Sequence, residues 1–349
     1  MGNKDIFAQL PAVLLPWYAG SKRDLPWRAD SDPYHIWVSE IMLQQTRVEA
    51  VKGYYARFLQ ALPTIADLAG VDDGLLHKLW EGLGYYSRVR NLKKAAGCIM
   101  EHHNGVFPRE YAQVLALPGI GEYTAGAICS IAFGQPTPAV DGNVLRVVSR
   151  LTNDRTPIDS SLCKKAAQKA LAEIYPTEAG EFTQALMELG ATVCGPNRKP
   201  DCLNCPCSSF CLAFRGGTAE QLPIKSPKRT RRVEERTVFI LSCDGRYALE
   251  KRPEKGLLAG LWQFPNVSGK LELNEVLSGL EKMGLRPKEL LRQVERKHIF
   301  THIEWDMRGI YIEVSETHNQ FTWLTPEEIN ARAALPTAFR QFWKEIEYV

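Results

Sequence analysis

The feature that most constrains the fold of this chain is a ten-residue stretch, LPGIGEYTAG, at positions 117–126. Its proline and first two glycines predict a tight turn between two helical segments, 111–117 and 124–133. Glycine allows positive φ, so the N–H groups of the turn can converge on one point, and the following helix adds the positive end of its dipole. A DNA phosphate suits such a site; a turn without a ligand is the alternative. The turn residues expected to contact DNA are Leu117, Gly119 and Gly121.

A carboxylate follows this turn at a short distance along the chain. Asp141 lies eighteen residues after Tyr123, within the stretch VDGNV, where the next helix is predicted to start. Aspartate is a favoured residue at a helix N-terminus, so a structural cap explains it as well as a functional role does. The turn and the aspartate together are more informative than either one alone.

A second carboxylate lies in an apolar helix. Asp32 and Pro33 predict the start of one long helix that continues to position 62. Glu40 lies on the helix face that carries Trp37 and Ile41. Burial disfavours the charged form of a carboxyl group, so the pKa of Glu40 should rise, which suits a general acid. A solvated helix glutamate is the alternative.

The stretch GLGYYSRVRNLKKAA combines aromatic and basic residues. Tyr85 and Arg88 belong to it. Aromatic side chains among cations can stack on bases and contact phosphates. A helix with a solvated basic face explains the same residues equally well.

Five of the nine cysteines lie between positions 194 and 211. Four of them have the spacing Cys-x7-Cys-x2-Cys-x5-Cys, namely Cys194, Cys202, Cys205 and Cys211. Four thiolates at this spacing can hold a [4Fe-4S] cluster or a structural zinc ion, and the residues alone leave that choice open. Arg198 and Lys199 lie in the first loop, where a metal-fixed backbone would present them to phosphate.

The composition excludes several classes of protein. Hydrophobic residues make up 45% and charged residues 24% of the 349, as in globular proteins. A net charge of +3 is too small to indicate nucleic-acid binding by itself. No apolar run approaches a membrane span, and the clustered cysteines do not resemble a disulfide framework. We therefore expect an intracellular protein without a membrane partner.

The residue pattern also divides the chain into parts. Residues 1–213 predict an all-α domain that ends with the cysteine cluster at 194–211, and residues 214–236 predict a basic linker. Residues 237–349 change to alternating and β-branched patterns, which predict an α+β domain. The predicted fold class is therefore multidomain.

The second domain looks like a Nudix-type fold because of the stretch GLLAGLWQFP at 256–265. A pyrophosphohydrolase of that type needs several carboxylates on one helix to hold magnesium. The segment VLSGLEKMGL offers only Glu281. The domain is therefore expected to recognise a ligand and not to hydrolyse one.

Taken together, the motifs resemble the MutY-type adenine DNA glycosylases of the helix-hairpin-helix, endonuclease III superfamily. The stretches LPWR, WVSEIMLQQT, GLGYYSR, LPGIGEYTAG, VDGNVLR and FTQA stand in the order of that family across essentially the whole chain. The resemblance implies an enzyme that flips out adenine mispaired with 8-oxoguanine or guanine in double-stranded DNA and hydrolyses its glycosidic bond. It also implies a [4Fe-4S] cluster, a monomer, and a bacterial cytoplasmic protein that is associated with the nucleoid when bound to DNA.

The resemblance assigns roles to individual residues. Glu40 would protonate the adenine, and Asp141 would stabilise the sugar cation. Tyr123 and Asn143 would orient the sugar and the carboxylate. The cluster ligands would be the four spaced cysteines. The adenine pocket would contain Trp27, Arg28 and Gln184. Gln45 and Tyr85 would insert into the DNA base stack near the lesion. Phe300, Thr301 and His302 would recognise 8-oxoguanine.

Three differences from related proteins shape these expectations. Bifunctional endonuclease III-type enzymes carry a lysine where this chain has Tyr123, so we expect a monofunctional enzyme. The first cysteine spacing is one residue longer than usual in the family, and Cys207 is an additional thiol. Thr301 replaces a serine and keeps its hydroxyl. A DNA-binding protein without chemistry is the competing class.

Overall fold

The computed structural model describes residues 3–196, 199–227 and 230–346. Arg198, a predicted DNA contact, lies outside the described residues. The described chain forms two compact units. The first contains the chain up to Gly70 and from Arg90 to Pro227, and the second contains Val71–Val89 and the chain after Pro227. Within the described part, no helix is long and apolar enough to cross a membrane.

Helices are the main secondary structure of the described residues. A short 3-10 helix, Pro26–Arg28, lies between α2 and α3. In chain order the α-helices are α1 (Asn3–Ala8), α2 (Leu10–Ser21), α3 (Pro33–Leu43), α4 (Val48–Ala61), α5 (Ile65–Gly70), α6 (Asp73–Leu79), α7 (Ser87–His102), α8 (Tyr111–Leu115), α9 (Glu122–Phe133), α10 (Gly142–Leu151), α11 (Ser161–Ala172), α12 (Ala179–Thr192), α13 (Leu212–Arg215), α14 (Leu273–Lys282), α15 (Pro326–Arg332) and α16 (Thr337–Trp343).

The first unit is all-α over its described residues, as the sequence predicts. Its core gathers the apolar faces of α2, α10 and α12, where Leu14, Val144 and Phe182 are fully buried. The helix α10 begins at the predicted place because the Asp141 side chain accepts a hydrogen bond from the Val144 N–H at 2.8 Å. The core therefore fixes the start of α10 against α12.

The predicted long helix from Pro33 to position 62 is in fact two helices, so that prediction was wrong. α3 ends at Leu43 and α4 begins at Val48. Gln45 between them adopts a left-handed conformation with φ of 56°, which no α-helix can contain. The Thr46 hydroxyl donates to the Gln44 carbonyl at 3.3 Å and supports the break. Apolar periodicity continues across the interruption, which is why the pattern did not reveal it.

The glycine-rich turn joins α8 and α9. α9 begins two residues earlier than predicted, at Glu122, with Gly121 as its N-cap. Gly119 has a φ of 79°, and a Cβ atom there would lie 2.6 Å from the Cβ of Asn91. Glycine is thus required at position 119 both for its backbone conformation and for the close approach of α7.

The second unit contains one mixed sheet. Its strands are β1 (Arg232–Cys243), β2 (Arg246–Lys251), β3 (Trp262–Gln263), β4 (Asn266–Ser268), β5 (Pro287–Ile299), β6 (Ile303–Val314) and β7 (Thr322–Leu324). The main path follows the order β3-β2-β1-β6-β5, while β4 pairs with β1 and β7 with β2. β1 and β6 are parallel, and the other pairs are antiparallel. β1 begins inside the segment predicted as a linker, 214–236.

Both faces of this sheet are covered by helices. Val238 and Ile240 point from β1 into a core with Phe339 and Phe342 of α16. Phe239 and the next alternate residues of β1 point into the other core, with α14. This alternation is the one the sequence of β1 predicts. β5 was not predicted because it is a mostly exposed edge strand rich in charged residues.

The segment containing α6 packs within this second unit through Glu81. Its carboxylate accepts the Leu335 N–H at 3.0 Å and forms ion pairs with Lys78 at 2.7 Å and Arg340 at 3.1 Å. Only 8% of the Glu81 side chain is exposed. Because these partners come from α6 and from the region of α15 and α16, Glu81 holds the residues just before Tyr85 in place.

We expect Gly190→Ala to destabilise the first unit. A Cβ atom at Gly190 would lie 2.6 Å from the Cβ and 3.0 Å from the Cα of Asn143, so α10 and α12 would have to separate. Overpacking of this kind costs about 1–3 kcal/mol of the free energy of unfolding. Thermal unfolding monitored by circular dichroism measures the change.

Gly97→Ala is the matched control, because Gly97 also lies in a helix and a Cβ atom there meets nothing within 4 Å. Alanine at that position should leave stability unchanged or raise it by about 0.5–1 kcal/mol. Equal melting temperatures for the two variants would contradict the close approach of α10 and α12.

Candidate active site

A cleft of about 680 Å³ lies in the first unit and brings together the predicted catalytic residues. Its lining includes Glu40, Tyr123, Asp141 and Asn143, and also Trp27, Arg28, Gln45 and Gln184. These side chains come from α3, α9, α10, α12, the 3-10 helix and the break after α3. Residues scattered over most of the first unit's sequence therefore line one cleft.

Glu40 lies on α3 and is only 6% exposed. The Tyr123 hydroxyl donates a short hydrogen bond to its carboxylate. Burial is the main cause that raises the pKa of Glu40, to a net value of about 7; the negative charge of Asp141 adds to the rise, while the Tyr123 hydrogen bond and Arg28 oppose it. Burial also raises the pKa of Tyr123, so its hydroxyl remains a donor. At neutral pH Glu40 can therefore both donate and accept a proton.

Asp141 is held more firmly by hydrogen bonds. Its carboxylate accepts the Val144 N–H at 2.8 Å and the Asn143 side-chain amide at 2.6 Å. Asn143 is itself fixed, because Arg146 donates to its Oδ1 at 2.8 Å. Burial raises the pKa of Asp141, but these hydrogen bonds favour its charged form. Two carboxyl groups in such different surroundings are suited to different roles in one reaction.

The side of the cleft formed by the 3-10 helix and α12 carries the predicted base pocket. Trp27 is buried and meets Tyr55 edge to face, with ring centroids 5.7 Å apart. The Arg28 guanidinium forms an ion pair with Glu188 at 2.7 Å. The Gln184 side chain accepts a hydrogen bond from the Tyr18 hydroxyl at 3.1 Å. The wall is therefore built from aromatic surface and from polar groups that are already oriented.

Three residues around this wall were missed by the sequence analysis, namely Tyr18, Arg23 and Glu188. Glu188 follows Gln184 by one helical turn on the predicted amphipathic helix, which was the only available signal. Tyr18 and Arg23 precede the recognised LPWR motif and have no local signature. Their partners are more than 160 residues away in sequence.

The glycine-rich turn has the predicted shape, but its residues contribute differently. The Leu117 side chain is buried, so that residue can offer only its backbone to a ligand. Gly119 is fixed against Asn91, whereas a Cβ atom at Gly121 would meet nothing within 4 Å. The Ile120 N–H is used in the turn itself, donating to the Leu117 carbonyl at 3.1 Å. Phosphate binding by this turn stays a prediction.

The two predicted wedge residues, in different units, share an unusual backbone conformation. Gln45 in the first unit has a φ of 56°, and Tyr85 in the second has a φ of 47°. Side chains other than glycine adopt this region at a cost, and such strain is concentrated at functional positions. Tyr85 is 46% exposed, and its hydroxyl lies 3.4 Å from that of Thr301.

Arg88 differs from what its sequence context suggested. Its side chain is buried and donates hydrogen bonds to the carbonyls of Leu83 at 3.0 Å and Gly84 at 3.1 Å. Burial lowers the pKa of Arg88 to about 10. The guanidinium supports the turn that presents Tyr85 and is not displayed toward a phosphate. The sequence pattern around Arg88 does not distinguish an arginine that supports a turn from one that contacts a phosphate.

The predicted lesion sensor lies in the turn between β5 and β6. Phe300 packs edge to face on Trp305, with centroids 4.9 Å apart, and its N–H donates to the Ile303 carbonyl at 2.8 Å. Thr301 and His302 are exposed at the tip. Phe300 therefore anchors the turn, while its two neighbours remain free to contact a ligand.

The five clustered cysteines line one small, largely apolar cavity of the first unit. Arg150 donates to the Cys194 sulfur at 3.1 Å, which would help to balance thiolate charge, and Cys211 lies 3.4 Å from the Arg150 carbonyl. Within the described residues, no three His, Cys, Asp or Glu side chains gather as ligands of one metal ion. A set of thiols around a cavity can hold either a polynuclear iron–sulfur cluster or a structural zinc ion. Lys199 is exposed and pairs with Glu220 at 3.3 Å.

Comparison with known proteins agrees with this architecture. Residues 38–173 match the HhH-GPD superfamily base excision DNA repair proteins, and residues 236–345 match the NUDIX domain. A trapped endonuclease III–DNA covalent intermediate is structurally similar at 25% identity and a TM-score of 0.53, covering 62% of this chain and 99% of that one. The fold and the cleft thus define a helix-hairpin-helix DNA glycosylase with an added NUDIX domain.

Sequence relatives identify the family within that class. The human adenine DNA glycosylase is 37% identical over 95% of this chain and 72% of its own length. The adenine DNA glycosylase of Buchnera aphidicola is 34% identical over 87% of this chain and 86% of its own length. The chain belongs to the adenine DNA glycosylase family, and it is a DNA-binding enzyme of base excision repair.

The burial of Glu40 predicts a specific pH dependence of stability. Its pKa is about 7 in the folded protein against 4.5 when exposed, so the protonated form is favoured by folding. The contribution is fully present below pH 4.5 and is lost as the pH rises through 7. Glu40→Gln should therefore be about as stable as the wild type in acid but more stable above neutrality, by about 3 kcal/mol.

Thermal or denaturant unfolding at acidic and at alkaline pH measures this difference. Glu101→Gln, which removes an exposed carboxylate, should show no such pH-dependent gain. A constant difference between Glu40→Gln and the wild type across the pH range would contradict the raised pKa.

Proposed function

We propose that this enzyme removes adenine mispaired with 8-oxoguanine or guanine in double-stranded DNA and leaves an abasic site. The observation that carries the proposal is the geometry of the cleft. In it the buried Glu40 accepts a hydrogen bond from Tyr123, and its pKa is affected by the charge of Asp141, the N-cap of α10. The 37% identity to the human adenine DNA glycosylase supports it. We also propose that the protein acts as a monomer on the chromosome in the bacterial cytoplasm.

Glu40 starts the reaction as a general acid. The glycosidic bond is inaccessible in a duplex, so the adenosine is first extruded into the cleft. A pKa of about 7 leaves Glu40 substantially protonated at neutral pH, and it protonates a ring nitrogen of the adenine. The base then leaves as a neutral molecule. The resulting carboxylate accepts a proton from the attacking water, with the Tyr123 hydroxyl holding it in place.

Asp141 acts on the sugar. Loss of the base produces an oxocarbenium-like cation, which a nearby carboxylate stabilises or captures as a transient ester, as in retaining glycosidases. The Val144 N–H and the Asn143 amide orient Asp141 and favour its charged form. Asn143 therefore acts by positioning the carboxylate.

Trp27, Arg28 and Gln184 bind the extruded base. Trp27 offers an aromatic surface, while the guanidinium and the amide present polar groups to the base edge. The Tyr18 hydroxyl fixes the Gln184 side-chain oxygen. A pocket with oriented polar groups rejects bases that leave those groups unpaired.

DNA is held and the lesion is recognised by residues of both units. In the first unit the glycine-rich turn and Lys199 bind phosphate, and Gln45 enters the stack. In the second unit Tyr85 wedges beside the lesion, and Thr301 and His302 contact 8-oxoguanine. The strained backbone at Gln45 and Tyr85 and the exposure of the 301–302 tip support these assignments.

Cys194, Cys202, Cys205 and Cys211 would hold a [4Fe-4S] cluster. All four ligands are protein thiolates, so the cluster supplies no open coordination site for the reaction. It would instead fix the loop that carries Lys199. Cys207 is fully buried and its thiol is hydrogen-bonded to Cys205, which suits a structural thiol.

Single-turnover cleavage of a duplex with one 8-oxoguanine:adenine pair tests the function. We expect alkali-dependent breaks at adenine and no breaks in an 8-oxoguanine:cytosine duplex. Glu40→Gln should lower the rate by about 10²-fold or more while keeping affinity for the mispaired duplex. Glu101→Gln should react like the wild type.

Other outcomes would overturn this function. Breaks without alkali would indicate a lyase that uses an amine of the cleft, such as Lys164 or Lys225. Binding of the duplex without base release by the wild type would show a binding protein only. Full activity of Glu40→Gln would remove Glu40 from the mechanism.

Substitution of single cysteines tests the assignment of the ligands. Cys211→Ser should lose most of the broad visible absorbance and the bound iron, because one of four ligands is removed. Cys207→Ser should retain both. Visible spectra and iron analysis of the purified proteins measure the result. Zinc in a colourless wild-type protein would contradict the cluster. Loss of iron in Cys207→Ser but not in Cys211→Ser would make Cys207 the ligand and Cys211 the structural thiol.

A further inference from the structure

The base pocket is backed by a buried acidic side chain, that of Glu188 on α12. It is only 1% exposed, yet it lines the same cleft as Glu40. One oxygen accepts hydrogen bonds from the side chain and the backbone N–H of Arg23, at 2.6 and 3.3 Å. The other accepts from Arg28 at 2.7 Å and again from Arg23 at 2.9 Å. Two guanidinium groups thus share one buried carboxylate.

This arrangement fixes Arg28 in one position. A second donor of its guanidinium reaches the Arg23 carbonyl at 3.0 Å, and the group lies over the Tyr18 ring, 5.5 Å from its centroid. Arg28 therefore has few alternative rotamers, and its placement depends on Glu188 and on the backbone at Arg23. A planar guanidinium held by several acceptors is a rigid element of a pocket.

The charges in this group act on Glu40. The groups that face Glu40 are Tyr123 of α9, Asp141 at the start of α10 and Arg28 of the 3-10 helix. The remaining charged residues of the cleft are Arg23, Asp159, Lys164, Glu188 and Lys225. Arg28 favours loss of the Glu40 proton, whereas Asp141 and burial favour its retention. An uncompensated Arg28 would therefore make Glu40 a weaker proton donor at neutral pH.

Glu188 is charged under these conditions. Burial by itself would raise the pKa of Glu188, but the hydrogen bonds from Arg23 and Arg28 outweigh that effect and lower it. Its negative charge lies directly against the guanidinium of Arg28 and offsets it. Since the pair is buried, this compensation is only weakly screened by solvent.

We infer that Glu188 is a positioning residue of the reaction: it fixes Arg28 in the base pocket and neutralises its charge, so that Glu40 keeps the proton it gives to the base. The inference rests on the proposed role of Glu40 and adds a residue that does not itself touch the reacting atoms. The inference also involves Arg23, because Arg23 competes with Arg28 for the Glu188 carboxylate.

The pH dependence of single-turnover adenine release from the 8-oxoguanine:adenine duplex tests this inference. Glu188→Gln keeps the size of the side chain but removes its charge. The alkaline limb of the profile should move to lower pH by about one unit, and the rate at neutral pH should fall about fivefold. Glu188→Asp, which restores the charge, should return the limb toward the wild-type position.

Arg23→Met provides an independent test with the opposite sign. It leaves Glu188 entirely to Arg28, so the alkaline limb should move to higher pH. Glu181→Gln removes an exposed carboxylate from the same helix and is the matched control, with an unchanged profile. Because Arg23→Met predicts a shift in the other direction, the inference can be tested even where Glu188→Gln does not fold.

A rate that falls equally at all pH values in Glu188→Gln, with no shift in Arg23→Met, would show a purely structural role and overturn the inference. Failure of the proposed function is a separate result. In that case the wild type would release no adenine, or Glu40→Gln would retain full activity, whatever the Glu188 variants show.

Discussion

The helical unit depends on the burial of a carboxyl group against a phenol. Glu40 is removed from water by the apolar face of α3, and Tyr123 of α9 gives it a hydrogen-bond partner. Without that partner a buried acid would be costly, and without burial its pKa would be too low for proton donation at neutral pH. The contact therefore joins the stability of the α3–α9 packing to the chemistry. Asp141 and Arg28, which lie on other elements, also affect the pKa of Glu40: Asp141 raises it and Arg28 lowers it.

Close packing at glycines fixes the helices around the contact between Glu40 and Tyr123. A Cβ atom at Gly126 would lie 2.2 Å from the Pro138 carbonyl oxygen, and one at Gly190 would meet the backbone of Asn143. α9 thus approaches the loop before Asp141, and α12 approaches the start of α10. Tyr123, Asp141 and the base-pocket wall are consequently built on elements that cannot shift independently. Such rigid support is what a site with two differently tuned carboxyl groups requires.

The second unit holds the exposed tip at Thr301 and His302 on a stable sheet. The parallel pair β1 and β6 is covered on both faces, and Phe300 packs on Trp305 at the beginning of the tip. Glu81 and the buried Arg88 hold the segment that carries Tyr85 in this same unit. Tyr85 and Thr301 meet there although they are 216 residues apart. The charges of Arg88 and Glu81 are used for support, and the two groups in contact, the hydroxyls of Tyr85 and Thr301, are neutral.

The sequence by itself determined the features that are encoded locally. The glycine-rich turn, the cap at Asp141, the apolar face around Glu40, the cysteine spacing and the alternation in β1 all follow from short-range sterics and periodicity. Only the tertiary structure decided the rest: the break at Gln45, the edge strand β5, the burial of Arg88 and the sharing of Glu188 by Arg23 and Arg28. Each of these depends on which distant surface a residue meets. A charged side chain has the same local pattern whether water or a buried partner receives it, so its role is set only when the helices pack.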